Sequence, residues 1–103
     1  MRYRLSMITV PALLLSAGMA HAATIEVTVE KMTFSPAEIE AKVGDTIEWV
    51  NKDAFVHTAT VQGGFDIMLP VKQSGSVVVD KAGTLDYFCR FHPNMKGRIT
   101  VAP

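Results

Sequence analysis

Near its C-terminal end the chain reads Cys89-Arg90-Phe91-His92-Pro93-Asn94-Met95, which sets a thiol, an imidazole and a thioether at intervals of three residues. Folding seldom needs these three side chains together, whereas a soft-to-borderline metal ion held in a compact turn does. Thiolate and thioether ligands select soft metals. A trigonal set of two His and one Cys, with a distant Met, is the arrangement of electron-transfer copper sites. The stretch is one imidazole short of that set, and His57 is available to supply it. The candidate metal ligands are therefore Cys89 as thiolate, His57 and His92 as imidazoles, and Met95 as a weak axial thioether. Zinc fits less well, because structural zinc sites are tetrahedral Cys/His sets. Met68, near Leu69-Pro70, is a weaker rival for the axial position and reads as surface packing.

A length of 103 residues allows one domain, and the first 22 residues are not expected to belong to it. Arg2 and Arg4 open the chain, Leu5 to Met19 is mostly apolar, and Ala20-His21-Ala22 offers small residues where an exporting peptidase reads them. This pattern predicts a secretory signal peptide over 1–22, cleaved after Ala22, with the domain over 23–103 and export to the periplasm. The alternative of a retained anchor is disfavoured, because a span takes about 20 apolar residues. No membrane insertion of the mature chain is expected.

Cleavage changes the charge and the ligand count. Ten basic residues balance ten acidic ones in the whole chain. Loss of Arg2 and Arg4 leaves eight against ten, a net charge of −2 that argues against nucleic acid as a partner. His21 leaves as well, so His57 and His92 are the histidines of the mature chain. Cys89 is the only cysteine. A lone thiol exported to an oxidising compartment is unusual, and metal ligation would protect it.

The elements that must position these ligands read as strands. Ile25, Val27 and Val29 alternate with polar neighbours, as do Ile39, Ala41 and Val43, and then Ile47 and Trp49. Val56 to Val61 carries His57, Ser76 to Asp80 is β-branched, Leu85 to Phe88 leads into the Cys89 loop, and Gly97 to Val101 closes the chain. Turn residues at Ser35-Pro36, Gly44-Asp45, Gln62-Gly63-Gly64 and Lys81-Ala82-Gly83 separate them. Seven to eight short strands at this spacing predict an all-β fold, a β-sandwich. Pro36 to Lys42 has good helix formers, but its alternation favours extended structure. Trp49 is expected in the core.

Several segments together carry a family resemblance. They are Phe34-Ser35-Pro36, Val43-Gly44-Asp45-Thr46-Ile47-Glu48-Trp49-Val50-Asn51, His57, Ala82-Gly83-Thr84-Leu85-Asp86-Tyr87-Phe88-Cys89 and His92-Pro93-Asn94-Met95-Lys96-Gly97. On these the mature chain resembles the cupredoxins, the small blue copper proteins, and its short ligand loop is similar to that of the amicyanins. The resemblance implies a Greek-key β-sandwich, one type 1 copper ion and one-electron transfer. It also implies that His92 presents its outer edge through an apolar patch, for which Phe55, Met68, Pro70, Phe91 and Pro93 are candidates. One position departs from the pattern. Many relatives carry Asn after the first histidine, where it braces the cysteine loop, and this chain carries Thr58.

The function expected is that of a periplasmic electron carrier, a monomer that docks transiently near His92 on redox partner proteins, and not an enzyme. An enzyme would need an open coordination position or a second metal, and the two histidines are already committed. A copper-binding carrier or resistance protein without an electron-transfer role is the alternative, although Met32, Met68 and Met95 are few exchangeable ligands for that task. Arg90, Lys96 and Arg98 lie close together without an intervening acid, which suggests a basic rim steering the protein to an acidic partner surface.

Overall fold

Period-two alternation becomes nine β-strands in a computed structural model that describes residues 21–103. The expected signal segment up to residue 20 lies outside the described residues. The strands are β1 (Thr24–Glu30), β2 (Thr33–Ser35), β3 (Glu38–Lys42), β4 (Thr46–Asn51), β5 (His57–Thr60), β6 (Asp66–Leu69), β7 (Ser74–Val78), β8 (Gly83–Cys89) and β9 (His92–Ala102). They form a four-stranded sheet in the order β2-β1-β4-β7 and a five-stranded sheet in the order β3-β9-β8-β5-β6. The chain crosses repeatedly between the sheets, and the result is the expected all-β sandwich. Pro36 to Lys42 is extended, as its alternation predicts. Among the described residues no helix is long and apolar enough to cross a membrane.

The inward face of each alternation meets in one core. Val27 and Val29 of β1, Ile47 and Trp49 of β4, Ile39 of β3, Tyr87 of β8, and Ile99 and Val101 of β9 are all buried. Trp49 and Tyr87 pack edge to face at 5.4 Å, and Phe34 and Tyr87 do so at 4.8 Å, spacings that favour aromatic pairs. Tyr87 lies directly across the β8–β9 ladder from Gly97, and a Cβ at position 97 would run into its phenol ring. The aromatic ring thus covers a bare stretch of backbone.

Two seams differ sharply in their ladders. β8 and β9 pair from Gly83↔Val101 to Phe88↔Lys96, then jump to Cys89↔His92, so Pro93, Asn94 and Met95 bulge from β9 with no counterpart on β8. Pro93 has no N–H to give a ladder, which suits a bulge. β5 and β8, by contrast, share the single register pair Thr60↔Phe88.

Asp45 anchors the start of the sandwich. Its buried carboxylate accepts the Ala23 N–H at 2.8 Å and the Lys42 N–H at 2.9 Å. Those two backbone hydrogen bonds hold the carboxyl below its ordinary value, against the opposing effect of burial. A carboxyl depressed in the folded state contributes stability that is complete above its unfolded value of about 3.9 and fades as pH falls through the lower folded value. The stability of the full chain should therefore drop below about pH 4, and Asp45→Asn should flatten that drop in thermal melts across pH. An equally steep acid drop in Asp45→Asn would assign it to other groups.

Candidate metal centre

The three strongest candidates meet at one end of the five-stranded sheet. His57 opens β5, Cys89 ends β8 and His92 opens β9, with Arg90-Phe91 as a two-residue turn between the last two. The expected ligand loop is thus shorter than its sequence suggested, because β9 begins at His92 itself. One donor atom from each of these side chains lies within 4.8 Å of the others. Cys89 Sγ stands 3.8 Å from His57 Nδ1 and 3.6 Å from His92 Nδ1, and the two imidazoles are 5.0 Å apart by centroid.

These separations test whether the residues fit a metal. Bond lengths of about 2.0–2.3 Å spread about 120° apart put N and S about 3.7 Å from each other, close to both observed values. The donor set, one thiolate and two imidazoles, suits copper in both oxidation states. His57 is also in the right tautomer. Its Nε2 stands 2.8 Å from Asp53 Oδ2, and an ionised carboxylate only accepts, so Nε2 carries the hydrogen and, in the neutral imidazole, Nδ1 keeps its lone pair on the Cys89 side.

Asp53, which the sequence did not single out, is the partner of His57. Besides His57 it accepts the N–H groups of Lys31 and Met32, at 2.7 and 3.0 Å. Both residues adopt positive φ, 54° and 60°, in the turn joining β1 to β2. Burial pulls the Asp53 carboxyl upward, but the Met32 N–H, the His57 ring and the Lys31 N–H together bring it below its ordinary value. Asn51, buried at the end of β4, fixes the same segment. Its Oδ1 accepts the Asp53 N–H at 2.9 Å, and its Nδ2 donates to the carbonyls of Phe55 and Leu69 at 2.8 and 3.0 Å. The residues before His57 are therefore pinned to both sheets. An acid four residues before a histidine is a common coincidence, so no signal short of the structure singled it out.

Cys89 is fully buried, as is His57, while His92 is half-buried. The Thr58 N–H points at Cys89 Sγ from 3.4 Å. Met95, on the bulge of β9, is buried in the core cluster. Met68 lies on the edge strand β6 and is 48% exposed, in keeping with its reading as surface packing. Phe55 and Phe91 do not fill the core. They are 59% and 49% exposed, and Phe55 packs against His92 at 6.5 Å.

The basic rim needs correction. Arg90 Nε pairs with Asp66 at 3.0 Å and Arg98 Nε with Asp86 at 2.7 Å. Two of the three positive charges are matched by acids on other strands, Asp66 of β6 and Asp86 of β8, which were invisible in the local run of sequence.

Comparison with known proteins agrees with this geometry. The cupredoxin-like domain family matches residues 4–101. The chain is 34% identical over 84 residues to amicyanin of Paracoccus denitrificans, an alignment covering 75% of this chain and 64% of that protein. It is 35% identical over 89 residues to amicyanin-alpha of Methylorubrum extorquens, covering 80% and 75%. A solved structure of the Cu(I) form of an amicyanin mutant superposes with a TM-score of 0.70 at 34% identity, covering 84% of this chain and 88% of that one. The chain spans just under two thirds of the length of the Paracoccus denitrificans relative. With a family match along nearly its whole length and a His-Cys-His cluster suited to a single copper ion, the chain belongs to the cupredoxin-like proteins.

Proposed function

We propose that the protein is a periplasmic type 1 copper protein that carries single electrons between redox partners, with His57, Cys89, His92 and Met95 as ligands. The observation that supports this most directly is the convergence of one thiolate and two imidazole donors within 4.8 Å at a sheet end, with one imidazole edge left half-buried. Copper held there would supply reversible Cu(I)/Cu(II) exchange of one electron.

The chain's own residues do the rest. Asp53 orients His57 and fixes its tautomer, and the Thr58 N–H donates to the Cys89 sulfur and holds it in place. Burial of Cys89 and His57 keeps water from the ligand atoms. His92, flanked by Phe55 on a surface that also exposes Val56, Met68 and Phe91, gives a partner an apolar area to dock on transiently. With Arg90 and Arg98 already paired, docking rests on that area more than on charge. Placement in the periplasm follows from the expected cleavage after Ala22, and the intact mass of the exported protein tests it.

Loading the full chain with Cu(II) tests the function. The expected result is an intense visible thiolate-to-copper band that bleaches on reduction and returns on oxidation. A weakly coloured complex that yields its metal readily to a chelator would instead support copper transport.

A further inference from the structure

Where the β5–β8 ladder stops, side chains continue it. Beyond the single pair Thr60↔Phe88, Arg90 N–H donates to Thr58 Oγ1 at 2.9 Å, Thr58 Oγ1 lies 2.9 Å from Thr60 Oγ1, and Thr60 Oγ1 donates to Asp66 Oδ1 at 2.7 Å. Arg90 Nε then returns to the same Asp66 oxygen at 3.0 Å. The ring begins and ends on Arg90, the residue immediately after Cys89. Thr58 and Thr60 are buried, whereas Asp66 and Arg90 are about half exposed, with side chains 50% and 41% accessible.

The chemistry of the ring sets its direction. An ionised carboxylate only accepts, so Thr60 must give its one hydroxyl hydrogen to Asp66. Thr60 Oγ1 is then an acceptor for Thr58, whose own hydrogen is used in turn. That leaves a Thr58 lone pair facing the Arg90 N–H. Without the anion at the far end, both hydroxyls could reverse and turn a hydrogen toward that N–H.

We propose that Asp66, acting through Thr60, is a positioning residue for the ligand turn: its carboxylate orients two buried hydroxyls so that Thr58 holds the Arg90 N–H and with it the turn carrying Cys89 and His92. Thr58, which stands where many relatives have Asn, thus braces the cysteine turn as part of a relay and not alone. That the turn serves copper rests on the function proposed above; the bracing itself does not.

Amide hydrogen exchange in the full chain, metal-free and with Cu(I), reads the brace directly. Thr58→Val and Asp66→Ala should each speed exchange of the Arg90 amide by about five-fold or more, the loss of one hydrogen bond. Amides of the β1–β4 ladder should keep their rates. Thr58→Ser, which retains the hydroxyl, should stay near the parent rate, and so should Asp86→Ala, which removes the comparably exposed partner of Arg98. Asp66→Ala added to Thr58→Val should change nothing further. In the Cu(II)-loaded protein the two single variants should shift the visible band in the same direction.

An Arg90 amide at the parent rate in Asp66→Ala, while Thr58→Val frees it, would overturn the role of Asp66. Full additivity of the two variants, or faster exchange throughout both sheets, would do the same. A parent protein that binds no copper would sink the copper reading and leave the exchange rates to judge the brace.

Discussion

Cys89→Ala should leave a folded protein that no longer forms the coloured copper complex, with copper affinity down by more than about 100-fold. That floor is set by what loss of an outer-shell partner alone costs a metal site, about 10–100-fold. Cys89 supplies the only thiolate of the cluster, and the two imidazoles left behind would form an ordinary nitrogen site without the charge-transfer band. The fold should survive. Removing the buried sulfur and the acceptor of the Thr58 N–H costs about 1–2 kcal/mol, within the stability of a domain of this size. Absorption and chelator competition measure the metal, and a thermal melt of the metal-free protein measures the fold. An undiminished band in Cys89→Ala would place the chromophore elsewhere.

The second large effect runs the other way, through the fold and only then to the metal. Gly97→Ala should destabilise the metal-free protein by about 2–3 kcal/mol, through overpacking against the Tyr87 ring that covers this glycine. For a domain of this size that corresponds to a fall in melting temperature of about 10–20 °C. Gly97 carries no left-handed backbone conformation, so the penalty arises from contact alone. Tyr87 cannot retreat easily, since it is buried against Trp49 and Phe34. Because Tyr87 lies two residues before Cys89 and Gly97 two after Met95, the displaced ring should also disturb the ligand turn. Combining Gly97→Ala with Tyr87→Ala should relieve most of the added cost. A melt unchanged from the parent in Gly97→Ala would show that the ring shifts freely.

Much of this site was legible in the sequence because its chemistry is local. Cys89 and His92 are marked by type and spacing, and His57 is the histidine left to join them once His21 is set aside with the expected leader. Alternation gave β1, β3 and β4 nearly to the residue. What escaped lies across strands. β6 was hidden because Asp66-Ile67-Met68-Leu69 is a short mixed run between Gly63-Gly64-Phe65 and Pro70, without clear alternation. The parallel pairings of β1 with β4 and of β3 with β9 join segments far apart in sequence, and core packing sets their register. Asp53, Asp66 and Asp86 each act on a residue that no local window connects to them, apart from the four-residue step from Asp53 to His57. The reading of Arg90 and Arg98 as a free basic rim failed for the same reason.

The thin seam between β5 and β8 also divides the three candidate donors between two hairpins. Cys89 and His92 sit on either side of a two-residue turn in the longest-paired hairpin of the sandwich, so they stay together as long as that hairpin stands. His57 belongs to the β5–β6 hairpin, joined to β8 by one register pair and the hydroxyl relay. Asn51 and Asp53 pin the approach to His57, and Ala59 and Leu69 bury the same hairpin in the core. The three donors are therefore spread over two hairpins, and side-chain bonds more than a shared ladder set the distance between them.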